Sequence, residues 1–171
     1  MLFYADMRGL ARGSWIEAAT ASMLRSNRAA SRIAREIGAT ACTDVSGFGF
    51  AGHLGAMLRA SGVSARIAQR ALPLLPGARE CFSRGLRSTA HPENAKARGA
   101  LRIGPELVAS PELDALFDPQ TSGGLLFGVP AARADEAIAQ LRAAGDIEAA
   151  CVGEVLAAAA HDVFVAVVAR D

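Results

Sequence analysis

Residues 42–57, CTDVSGFGFAGHLGAM, run a small-residue strand through a glycine-punctuated turn straight into a helical pattern, and the rest of the chain is organised around this junction. Thr43 and Asp44 close the strand, and Gly47 and Gly49 occupy the turn. Gly52, His53, Leu54, Met57 and Leu58 then follow at helical spacing. Glycine permits positive φ or a close backbone approach, and inside a helix each one costs roughly 1 kcal/mol. Three of them within six residues, beside a Thr-Asp pair, describe a backbone shaped to leave room for something. An aspartate near free amides suits either a helix cap or a metal–phosphate site, and these residues alone leave both open.

On either side of this junction the pattern alternates between helices and strands. Leu2 to Ala5 reads as the end of a strand, with residues 1–12 as that strand or as the end of a connection from a preceding domain, and 13–171 as a single domain. Trp15 to Arg35 reads as one or two helices. Trp15, Ala18, Ala19, Met23 and Leu24 share a face, Ser14 stands at the N-cap position, and Gly38 is placed to stop the second half. Beyond the focal helix, which should end near Ser61-Gly62, Val63, Ala65 and Ile67 alternate with Ser64 and Arg66 as in a half-buried strand. Pro73 and Pro76 exclude a long element there, and a short helix follows from Ala78 to Arg84. Residues 85–104 are polar and aperiodic, a loop facing solvent or a partner. Its His91 has no second histidine or cysteine near it in sequence and is not read as a metal ligand. Pro105 to Leu116 reads as a strand and then a short helix. Leu125 to Val129 is a strand, Pro130 opens a helix that stops near Gly145, and Ala150–Val155 and Val163–Val168 are the last two strands. This mixture gives an α+β fold, two layers with a mixed, mainly antiparallel sheet packed against helices.

Composition narrows the function classes. The chain has 171 residues, 51% hydrophobic and 20% charged, with a net charge of +1. It can therefore bury a real core, and it is not a disordered chain. No basic stripe with interleaved aromatics points to nucleic acid. No apolar run approaches the roughly 20 residues that a membrane span needs. Cys42, Cys81 and Cys151 are odd in number and widely spaced, so neither a disulfide framework nor a zinc site is expected, and Cys42 reads as a small buried side chain. With no signal-peptide core at the start, the expected location is the cytoplasm.

A second loop, Asp118-Pro119-Gln120-Thr121-Ser122-Gly123-Gly124, repeats the grammar of the first: an acid, a hydroxyl residue, then glycines. Hydroxyls and amides donate to phosphate, whereas a carboxylate such as Asp44 reaches it only through Mg²⁺. Neither loop is a P-loop or a dinucleotide-binding fingerprint.

Thr43-Asp44-Val45-Ser46-Gly47-Phe48-Gly49, followed by Gly52-His53-Leu54, resembles the TDVTGFGLLGHL signature of the selenophosphate synthetase (selenide, water dikinase) family, within the aminoimidazole ribonucleotide synthetase-like superfamily. Met23 to Ala30 is similar to that family's M-x-x-x-N-x-x-A segment. Pro76-Gly77-Ala78, Ser88-Thr89 with Asn94, and Phe117 to Leu126 match in the same order. The resemblance covers nearly the whole chain and places it as the C-terminal domain. It implies the reaction of ATP, selenide and water to selenophosphate, AMP and phosphate. It also implies Mg²⁺ and ATP as cofactors of the full-length enzyme, neither of them held by the isolated domain, and a homodimer. An N-terminal domain absent from this chain would supply the catalytic cysteine or selenocysteine, the lysine and most of the metal-binding aspartates. By motif matching, Asp44 is the magnesium ligand, while Asn27, Thr43, Thr121, Ser122, Gly123 and Gly124 shape the nucleotide side of the cleft. Ser46 replaces the family's threonine, and Phe50-Ala51 its leucine pair. Two other readings remain: the corresponding domain of another superfamily member, and an interaction domain without catalysis, in which Asp44 caps the helix.

Overall fold

The computed structural model describes residues 1–158 and 165–169. Its elements, in chain order, begin with three helices, α1 (Leu2–Met7), α2 (Gly13–Leu24) and α3 (Arg28–Ile37). Strand β1 (Ala41–Asp44), helix α4 (Gly49–Ser61) and strand β2 (Val63–Ala68) come next. Short helices α5 (Ala78–Ser83) and α6 (His91–Asn94) lead to β3 (Leu101–Ile103). The chain closes with β4 (Leu125–Gly128), α7 (Ala134–Ala143), β5 (Gly153–Ala157) and β6 (Val165–Val168). This is the α+β, helix-on-sheet arrangement that the pattern predicts.

Two sheets carry the strands. β1 and β4 form an antiparallel pair, with Thr43 opposite Leu126 and Asp44 opposite Leu125. The larger sheet has the order β3-β6-β2-β5, in which β2 pairs antiparallel with β5 and parallel with β6, and β6 pairs parallel with β3. Antiparallel pairing joins more residues than parallel pairing does.

The core sits where α4 crosses both sheets. Phe50, Ala51, Leu54 and Leu58 recur every three or four residues, so they form one buried stripe. That stripe packs on Ala65 and Ile67 of β2, Val165 and Val167 of β6, and the 3₁₀ residues Leu113, Leu116 and Phe117. Each large side chain contributes roughly 1.5–3 kcal/mol when fully buried. The period of two in β4 divides its side chains between clusters: Leu126 joins the α4 core, while Leu125 and Phe127 pack on α3 and α7 around Ile33, Ile37 and Leu141. A third cluster ties α1 and α2 to α5 through Leu2, Ala5, Trp15, Ala19 and Cys81.

Several sequence expectations are corrected here. Leu2 to Ala5 is helical rather than a strand, because Leu2 and Ala5, three apart, bury together against Trp15 and Cys81. α2 starts at Gly13 with Arg12 at its N-cap position, so Ser14 lies inside the helix and caps nothing. Residues 85–104 are not an open loop: α6, a 3₁₀ segment Ala95–Ala100 and β3 order them. Pro105 to Leu116 holds two 3₁₀ helices, Pro105–Leu107 and Pro111–Phe117, in place of a strand, since prolines start both and remove ladder donors. Ser64, expected on the open face of its strand, is fully buried. Cys42 is exposed, because β1 alternates and turns Cys42 outward. Of the last expected strand, Val163 and Phe164 lie outside the described residues. No helix among the described residues is long and apolar enough to cross a membrane.

Candidate functional site

Antiparallel pairing of β1 with β4 decides the geometry. β1 runs up to Asp44 and enters the TDVSG turn, and β4 begins at Leu125 as it leaves the TSGG loop, so both glycine loops meet at one end of the pair. Backbone bonds lace them together: the Val45 N–H donates to the Gly124 carbonyl at 2.9 Å and the Gln120 N–H to the Ser46 carbonyl at 3.1 Å. The two loops that share a grammar in sequence thus share one surface.

Glycine is required at two positions here, and the reason is packing between loops. Gly49 has φ +69°, and a Cβ there would lie 2.9 Å from the Phe117 carbonyl carbon and 3.0 Å from the Leu116 oxygen. A Cβ on Gly123 would overlap the carbonyl oxygen of Val45. The room these glycines leave is filled by neighbouring backbone. Ser122 has φ +48°, the left-handed region in which a non-glycine residue is strained.

Side chains complete the frame. Asn27, at the start of α3, donates from Nδ2 to the Gly123 carbonyl at 2.9 Å. The Thr43 hydroxyl donates to the Asp44 carbonyl at 3.0 Å. His53 reaches back from α4, and its Nε2 accepts the Ser46 N–H at 3.1 Å with the Ser46 hydroxyl at 3.2 Å, which places the ring proton on Nδ1. Asn94 donates to both the Gly47 carbonyl (2.9 Å) and the Phe117 carbonyl (3.0 Å), clamping the turn to the 3₁₀ segment beneath it. Sequence reading gave no bonding partner for His53 or Asn94; their signals were the motif strings that contain them, while the partners lie elsewhere in the chain.

Asp44 differs from its neighbours. It is exposed, and among the described residues its carboxylate makes no hydrogen bond or ion pair. α4 has Phe48 at its N-cap position and no side-chain cap, so the helix-cap role for Asp44 is not realised. A hard, unpartnered oxygen donor of this kind suits Mg²⁺. It is a single ligand, however: no group of three His, Cys, Asp or Glu able to hold a metal occurs among the described residues. Beside it, partial desolvation and then the Asp44 charge push the Cys42 thiol up, which keeps it protonated and unsuited to nucleophilic attack. Thr121 and Ser122 leave their hydroxyls exposed on the same rim. Grooves of about 220 and 420 Å³ lie beside Gly52 and Arg59 on α4 and between Thr40 and Val155.

Residues 16–166 match the family described as AIR synthase related protein, C-terminal domain. The chain belongs to this family. Within the AIR synthase related proteins it is similar to the selenide, water dikinase of Agathobacter rectalis, 41% identical over 138 residues, covering 81% of this chain and 40% of that protein. The dikinase of Pelobacter propionicus is 39% identical over 148 residues, covering 86% of this chain and 42% of the relative. That of Nitratidesulfovibrio vulgaris is 42% identical over 118 residues, covering 68% and 33%. This AIR synthase related domain thus spans between a third and about two fifths of the length of these curated relatives.

Proposed function

We propose that this chain is one wall of the Mg²⁺–ATP cleft of a selenophosphate synthetase, in which ATP, selenide and water give selenophosphate, AMP and phosphate. The observation that carries the reading is the unpartnered Asp44 carboxylate at the junction of the two laced glycine loops. Phosphoryl transfer is governed by positioning and by neutralisation of phosphate charge. Bound at Asp44, Mg²⁺ would supply that neutralisation. Ser122 and the exposed backbone around Gly123 and Gly124 would donate to phosphate oxygens, while Thr43 shapes the turn through its bond to the Asp44 carbonyl and Asn27 holds the loop through Gly123. The nucleophile, the lysine and the remaining metal ligands come from the N-terminal domain that the relatives' length leaves room for, and the working enzyme is a homodimer acting on selenide in the cytoplasm.

One carboxylate does not hold Mg²⁺ against its hydration shell, so the 171-residue chain by itself makes no selenophosphate. A coupled AMP-release assay with ATP, Mg²⁺ and selenide tests this. The expected result is background AMP from this chain and turnover from the full-length enzyme. Sustained turnover by the chain alone would contradict the assignment of the chemistry to another domain.

A further inference from the structure

Ser46 is where the two glycine loops join, and hydrogen bonds hold its backbone on both sides. Its carbonyl accepts the Gly49 N–H at 3.0 Å, the bond that turns the chain into α4, and the Gln120 N–H of the second loop at 3.1 Å. Its own N–H donates to His53 Nε2 at 3.1 Å, and its hydroxyl lies 3.2 Å from the same nitrogen. His53 stands in the second turn of α4, beside Leu54, and that helix is anchored in the main core through Phe50, Leu54 and Leu58. The imidazole also packs against Phe48, with ring centroids 5.6 Å apart.

We propose that His53 is a positioning residue for the rim that carries Asp44 and the loop 118–124, acting through the Ser46 peptide. Its part in the reaction rests on the cleft reading given above. A backbone N–H can only donate, so the imidazole presents Nε2 as an unprotonated acceptor and keeps its proton on Nδ1. A group carried on a core-packed helix places its partner more closely than a loop can place itself. His53 thus passes the rigidity of α4 to a turn whose own glycines would let it move. Without that acceptor the Ser46 N–H loses its internal partner and the peptide is free to rotate. Rotation carries the Ser46 carbonyl away from the Gln120 N–H, so both loops answer to one nitrogen atom.

His53→Phe keeps an aromatic ring against Phe48 and removes the acceptor, whereas His53→Gln keeps an acceptor near the Nε2 position and removes the ring. In this chain, without nucleotide or metal, exchange of the Ser46 and Gln120 amides should rise about tenfold in His53→Phe and stay within about twofold of wild type in His53→Gln. The Gly104 amide, bonded to the Val167 carbonyl in the larger sheet, is the control for global loosening and should not change in either. In the full-length enzyme, kcat/KM for Mg²⁺–ATP should fall about tenfold in His53→Phe and recover to within about threefold of wild type in His53→Gln. Equal exchange in the two variants, a matching rise at Gly104, or wild-type kcat/KM in His53→Phe would overturn the proposal. A wild-type enzyme that forms no selenophosphate would overturn the cleft reading instead, and the amide contrast would still decide whether His53 holds the two loops.

Discussion

Gly49→Ala tests whether the focal glycines serve contact between backbones. A left-handed φ costs an L-residue roughly 1–2 kcal/mol. The new methyl would sit 2.9, 3.0 and 3.1 Å from the Phe117 carbon and the Leu116 and Asp118 oxygens. All three are backbone atoms, so no rotamer change relieves the contact, and overpacking of this kind costs about 1–3 kcal/mol. Loss of chain entropy in the unfolded state returns about 0.4–1 kcal/mol. The net is a destabilisation of roughly 2–4 kcal/mol, and at about 2–4 °C per kcal/mol for a chain of this size Tm falls by roughly 5–15 °C. Gly47→Ala is the control in the same turn, since a Cβ there meets nothing within 4 Å and its φ is ordinary. It should stay within about 0.5 kcal/mol of wild type. Thermal unfolding by circular dichroism reads both. Equal Tm values for the two variants would refute the packing argument.

Two further perturbations probe the frame around the turn. Asn94→Ala strips one donor from the Gly47 and Phe117 carbonyls and should cost about 1–3 kcal/mol in urea unfolding, with Asn94→Asp worse because a carboxylate faces two carbonyl oxygens. Burial raises the Asp118 carboxyl above its ordinary value, more than the Met1 ammonium, His91 and Ser88 lower it. A raised folded value means that the native state binds the proton more tightly, so its contribution to stability is greatest in acid and declines as pH rises from about 4 through the folded value. Between about pH 3 and 6, stability of Asp118→Asn relative to wild type should therefore improve as pH rises. A flat or falling difference would contradict the shift.

Local signals made part of this molecule readable. β1, the turn and α4 were legible because strand alternation, turn glycines and the helical stripe all lie within 20 or so residues of one another, and Gly38 and Gly62 stop their helices as expected. The segment 85–104 was not. Its polarity reads as loop, yet Arg87 pairs with Asp114 and Asn94 with Phe117, so its order comes from contacts distant in sequence. The same holds for Asn27: the motif marked it for the site, but the carbonyl of Gly123 is 96 residues away and no periodicity announces the bond. Asp44 shows the gain from structure most clearly. Its residues alone left a helix cap and a metal–phosphate role open, and the cap position is occupied by Phe48.

In the proposed function, the exposed Asp44 carboxylate serves a ligand and not the fold. Asp44→Ala in the full-length enzyme measures this directly, with Mg²⁺-dependent AMP formation and thermal unfolding followed on the same preparation. Turnover should fall by roughly a hundredfold or more, as for loss of one group that stabilises transition-state charge. Stability should stay within about 0.5 kcal/mol, since no internal partner is lost. Unchanged turnover, or a loss of stability large enough to account for the loss of activity, would contradict the claim.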